Sequence, residues 1–261
     1  MRSVRIAWLS LRLGVLNALQ YRVDFFVQVF QSLIGLGTAL GGVAVVFGQT
    51  DDLGGWRQEE LIALVGVFLL VGGLVNVVIR PSMERLMEGV RLGTLDFTLT
   101  KPADAQLLVS VRQVEVWRLV DVALGALVIV IAVLRLGEQI GAARAAAFLL
   151  VLVAGIAIIY SFLLILATLA FWLVRLENIL VIFGTMYDAG RWPVGIYPPW
   201  LRVALTLVVP VAFAITVPVE TLVGRLEAPT LIIAVLLSLG FIVASRLFWR
   251  FGLRHYTGAS A

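Results

Sequence analysis

The sequence predicts an all-α, polytopic membrane protein with six transmembrane helices, and three observations carry that expectation. First, 61% of its 261 residues are hydrophobic, with a mean hydropathy of +1.05, where soluble domains run at roughly 45–50% apolar. Second, residues 25–50, 61–79, 145–174, 203–219 and 228–245 carry no charge, and about 20 such residues suffice for a helix to cross a hydrocarbon layer of roughly 30 Å. Third, the arginines collect between these runs, in the first 22 residues, in 80–118 and in the last 16, as on the cytoplasmic flanks of membrane spans.

Residues 1–22 place Ile6, Trp8, Leu9, Leu13, Leu16 and Leu19 largely to one side of a helix and Arg5, Arg12, Asn17 and Gln20 to the other. That pattern fits an interfacial helix; the alternative is a disordered basic tail. Its arginines interrupt any signal-peptide core, so no cleavable leader is expected. Span one covers about 23–48. It contains Gly37 and Gly41, a small-xxx-small pair that permits close helix contact. Gln28 and Gln31 share one of its faces, either lining a translocation path or bonding neighbouring helices.

Span two, about 60–79, is read as stopped by Pro81, since proline lacks the N–H a helix needs. Span three is about 116–134. Arg112, Glu115, Arg118 and Asp121 alternate in sign at its entrance, as a self-neutralising ladder. Span four is about 145–172, and after it comes a short turn with Arg175 and Glu177. Span five is short, about 176–192, with Asp188 and Arg191 placed to pair. Residues 192–200 read WPVGIYPPW, which no regular helix accommodates. Span six is the clean run 228–249.

Charge sets the topology. With both termini in the cytoplasm, 14 of the 20 basic residues lie inside. An inside C-terminus requires an even number of spans, so 193–222 is expected to be a re-entrant pair of short helices on the outer side. The competing arrangement is a seven-span protein with a kinked span. Non-helical backbone at membrane depth survives only where protein or a water-filled cavity satisfies it, which makes this segment a candidate gate. No internal repeat is visible, so residues 1–261 are read as one domain.

Several functions are excluded. A pI near 10.0 in a soluble protein would suggest nucleic acid; here the charge tracks span ends, and none is expected as a partner. There is no cysteine and a single histidine, His255, so no disulfide framework or thiolate metal site exists. No catalytic set or metal-ligand cluster is visible.

Residues 80–118 are the one sizeable polar segment, beginning RPSMERLMEGVRLGTLDFTLTKP. Residues 82–91 favour helix, with Glu84 and Glu88 one turn apart and Arg85 and Arg91 nearby; Gly93 and Pro102 punctuate the stretch after it. A short amphipathic helix between two spans suits docking onto a cytoplasmic partner; a solvated connector is the alternative.

Here the chain resembles the permease subunits of the ABC-2 family of ABC exporters, in the short branch of about 260 residues without a large extracellular domain. The resemblance rests on Glu84 and Glu88, then Gly93, Thr94, Leu95, Asp96 and Pro102, and on the later Pro-broken stretch Arg191-Trp192-Pro193, Ile196-Tyr197-Pro198-Pro199-Trp200 and Val209-Pro210. It implies six spans, the N-terminal interfacial helix, a coupling helix between spans two and three, and a re-entrant pair after span five. It further implies that Glu84, Arg85, Glu88, Arg91, Gly93 and Asp96 couple to a separate ATPase, and that Trp192, Pro193, Tyr197, Pro198, Pro199 and Pro210 form an outer gate.

The chain itself holds no nucleotide loop of the form G-x-x-x-x-G-K-[ST]. Its one lysine, Lys101, has no such surroundings. ATP and Mg are therefore expected on a separate ATPase dimer, with no cofactor on this chain. A second permease copy or paralogue and membrane lipid complete the expected partners, at the cell (inner) membrane. The importer-type Glu-Ala-Ala coupling run is absent, which favours export. A standalone channel or secondary carrier is the main alternative; it would need coupling-ion ligands near the midplane.

Overall fold

The computed structural model describes residues 22–137, 140–173, 178–225 and 227–256; the interfacial helix expected at 1–22 and the Arg175–Glu177 pair lie outside them. No strand occurs among the described residues, only an isolated bridge between Leu53 and Trp56. The helices are α1 (Arg22–Phe47), α2 (Gln58–Leu74), α3 (Arg80–Arg91), α4 (Asp96–Leu99), α5 (Ala105–Ser110), α6 (Leu119–Leu136), α7 (Ala142–Thr168), α8 (Ile179–Asp188), α9 (Pro199–Val203), α10 (Val211–Ala214), α11 (Thr216–Leu222) and α12 (Ala228–His255). Among the described residues, five helical stretches are long and apolar enough to cross a membrane, and a sixth candidate is a pair bent by 70°, Pro199–Val208 with Val211–Leu222. The protein is thus all-α and multi-pass.

Pro81 does not stop span two. A π-turn at Val75–Ile79 joins α2 to α3, giving one helical rod from Gln58 to Arg91. Proline at 81 withholds its N–H and crowds the carbonyl four residues back. That carbonyl, on Val77, instead accepts from the Glu115 amide at 2.8 Å. Ser82 reinforces the site, its hydroxyl donating to the Gln113 carbonyl at 3.1 Å. At 1.5 Å per residue the rod is about 51 Å long, roughly 20 Å more than a hydrocarbon core.

The rod and α7 are the buried centre, while α1, α6 and α12 bury only 11–17% of their most apolar stretches. Their Phe30, Leu127, Leu134, Leu236 and Leu239 are exposed and give these helices wide apolar outer faces. Glycine sets the closest crossing. α6 runs antiparallel to α2, with Gly125 against Leu70 and Gly66, and Gly73 against Val122. α7 and α12 run parallel: Gly224, just before α12, meets Arg144 near the start of α7, and Gly252 meets Thr168 at its end. Gly37 and Gly41, expected to mediate a helix contact, face open space within this chain.

Span one is tied to α6 by polar groups. Ser32 and Gln28, both buried, donate to the Asp121 carboxylate, Gln28 at 3.4 Å. Asp121 therefore leaves the expected charge ladder, of which the Glu115–Arg118 pair remains at 3.5 Å.

Candidate functional site

Two ends of the molecule carry the residues singled out in the sequence, and the Gln58–Arg91 rod connects them. At the Arg91 end, α3 buries Pro81, Met83, Leu86 and Gly89 and turns Glu84 and Arg85 to solvent. Arg80 donates to Glu84 at 3.0 Å, and Arg85 reaches both Glu88 at 2.5 Å and the Gln113 side chain at 2.8 Å. The Gly93-Thr94-Leu95-Asp96 run explains itself physically. Gly93 adopts φ +68°; its amide donates to the Val90 carbonyl at 3.2 Å and that of Thr94 to the Gly89 carbonyl at 2.9 Å. This is a Schellman termination, for which a left-handed glycine is favoured. Leu95 then drops fully into the core. Gly93 thus shapes this surface through its backbone. Two apolar side chains also stand outward: Leu92 is 59% and Phe97 75% exposed.

This end is also anchored to the last span. Arg246 of α12 pairs with the Asp104 carboxylate and donates to the Gln106 side chain at 2.8 Å. Gln106 and Ser110 in turn meet the Tyr160 hydroxyl of α7 at 3.2 and 2.7 Å. The C-terminal end of α12 thus lies on the same side as the 80–118 segment. Tyr256 comes directly after α12; burial and the neighbouring Asp96 carboxylate raise its phenol above the ordinary value. The Arg246 hydrogen bond holds Asp104 below the usual carboxylate value of 3.8. A depressed acid contributes stability above its unfolded pKa and loses it as pH falls through the folded one. Asp104→Asn should lower the thermal midpoint at neutral pH by an amount worth at most about 1 kcal/mol, given the partial exposure. The gap from wild type should shrink below about pH 4, where the carboxyl begins to lose its charge, as a melting series from pH 3 to 7 would show.

At the Gln58 end, Glu60 is 1% exposed. It accepts from the Arg57 amide at 2.8 Å and from the Arg225 guanidinium at 2.6 Å. Arg225 also lies over the Trp56 ring, 5.1 Å from its centroid. The Pro-broken segment begins and returns at this end. Ile196 lies beside Gly54, the middle of the segment is pressed on Gly155 through Phe213 and Ala214, and its close at Arg225 meets Glu60. Its freed carbonyls are served within the chain: Tyr197 donates to the Ala189 carbonyl at 2.8 Å, and Arg202 to those of Gly195 at 2.6 Å and Tyr197 at 3.3 Å.

The candidate gate residues are therefore split. Pro193 and Pro210 are buried, Trp192 and Tyr197 are half-buried, and Pro198 and Pro199 are exposed. Trp200, Leu207 and Val208 add exposed apolar surface. α8 is only ten residues long, about 15 Å, shorter than the expected span five. Asp188 and Arg191 pair across its end at 3.0 Å. Gln28 is committed to Asp121 and Gln31 points outward, so the structure does not bring these two glutamines together. A cavity of about 300 Å³ instead opens between the π-turn and α8, lined by Asn76, Arg80, Thr185, Tyr187 and Asp188 among others. Leu92, Phe97, Glu60, Arg225 and this cavity went unmarked in the sequence. Apolar residues do not stand out in an apolar chain, and Glu60 and Arg225 are 165 positions apart.

A family model described as ABC-2 family transporter protein matches residues 33–260. No curated protein and no solved structure matches the chain.

Proposed function

The chain belongs to the ABC-2 family of transporter proteins and is a non-catalytic, multi-pass permease component of an ABC transporter; from that premise we propose that it serves an exporter powered by a separate ATPase. The observation that carries the reading is the Gln58–Arg91 rod. It is too long for the bilayer, and beyond it lies a surface with Arg85, Glu88, Leu92 and Phe97 turned outward. An ATPase dimer carrying ATP and Mg seats there. Both termini lie in the cytoplasm, and the Glu60 end faces the outside of the cell membrane. The segment 193–222 is a re-entrant hairpin on that outer side. A second permease copy or paralogue meets its exposed Trp200 and Leu207, and the two permeases enclose the path. The Asn76–Arg80 cavity gives that path a polar wall.

Labelling tests the arrangement directly, because the chain has no cysteine. In intact cells Asp52→Cys should react with a membrane-impermeant maleimide, while Lys101→Cys should react only after the cells are opened. Purification of the tagged chain should bring an ATPase with it. Labelling of Lys101→Cys from outside would invert the topology. A chain that exports with no ATPase attached would be a standalone carrier or channel.

A further inference from the structure

We propose that the Glu60–Arg225 ion pair is the positioning contact that makes the outer hairpin move with the Gln58–Arg91 rod. The proposal rests on the permease reading above. Three observations lead to it. The rod is one continuous helix from Glu60 to the docking surface, so a tilt imposed at Glu88 arrives at Glu60. Glu60 is the buried charged side chain of the described residues, and its carboxylate is shared between its own helix cap, Arg57, and Arg225. Arg225 closes the hairpin: its amide donates to the Glu220 carbonyl of α11 at 2.8 Å, and its guanidinium stacks on Trp56.

The chemistry favours a link that stays closed over a latch that opens. Glu60 is the buried member and Arg225 is partly exposed, so parting them leaves the carboxylate away from water with only the longer Arg57 contact, at 3.4 Å, a costly state for a buried charge. Trp56, Glu60 and Arg225 therefore travel as one body. The hairpin also rests on α7, through Ala214 on Gly155 and through Gly224 beside Arg144. The Glu60–Arg225 pair carries the rod's motion into the hairpin across that seat.

The test uses the permease purified with its ATPase and a single cysteine at either end, Trp200→Cys outside or Lys101→Cys inside. Maleimide labelling rates are measured without nucleotide and with Mg-ATP plus vanadate. In the otherwise unchanged protein both rates should respond to nucleotide; if neither does, the permease reading itself fails. In Glu60→Gln, the response at 101 should persist and that at 200 should be lost. Arg225→Gln, which leaves Glu60 its Arg57 partner, should behave the same way, and Arg225→Lys, which keeps the charge, should restore the response at 200. If both neutral variants keep the response at 200, the link lies elsewhere. Loss of both responses in both variants makes the pair a structural staple and equally overturns the proposal.

Discussion

Replacing Phe97 by Asp should detach the ATPase while the permease remains folded in the membrane. Phe97 is 75% exposed on α4, between Leu95 and Thr98, which hold the loop to the core. Deleting its ring therefore removes little from the permease itself. At an interface the same ring counts differently, since central aromatic anchors that fill a pocket carry most of the binding energy. Truncating one costs about 2 kcal/mol or more, roughly a 30-fold loss of affinity, and a carboxylate in its place adds an unpaired charge to a dry pocket. Copurification yield and the elution position of the complex measure this. Glu88→Lys should act more weakly. Glu88 is half-exposed and already paired with Arg85, and rim charges alter association rate more than residence. If Phe97→Asp retains its ATPase and Glu88→Lys loses it, docking is electrostatic and the apolar patch has another use.

The acids of this surface were legible in the sequence because charge is rare there and its spacing is helical. The apolar anchors were not, since Leu92 and Phe97 look like any other residue of a hydrophobic chain. Pro81 shows the same limit from the other direction. Proline marks a broken backbone hydrogen bond correctly, but whether the helix ends depends on who serves the orphaned carbonyl. Here the Glu115 amide does so from across the loop, and no local pattern announces it. The broken backbone of 193–222 was legible from its five prolines. Its closure on Glu60 was not, because Arg225 looks like an ordinary loop charge until the fold places it over Trp56.

Glycine gives the largest expected structural effect. The sequence has 24 glycines, and spacing alone drew attention to Gly37 and Gly41. The structure places the close contact at Gly125, where α6 crosses the central rod. A Cβ there would stand 2.4 Å from the Leu70 nitrogen, 2.7 Å from the Gly66 carbonyl oxygen and 2.8 Å from the Leu70 Cα. All three are backbone atoms, so no rotamer change relieves the clash and the two helices must separate. Overpacking a well-packed site costs about 1–3 kcal/mol and occasionally more, and separation of main chains belongs at the upper end. Gly125→Ala should therefore drop the thermal midpoint in detergent steeply and reduce the amount of protein recovered from membranes. Gly37→Ala and Gly41→Ala meet nothing within 4 Å in this chain. They should match wild type or gain slightly, since alanine is worth up to about 1 kcal/mol over glycine inside a helix. If Gly125→Ala melts with wild type, the helices do not cross this closely. If instead Gly37→Ala falls while Gly125→Ala stands, the tight packing lies between chains rather than within one.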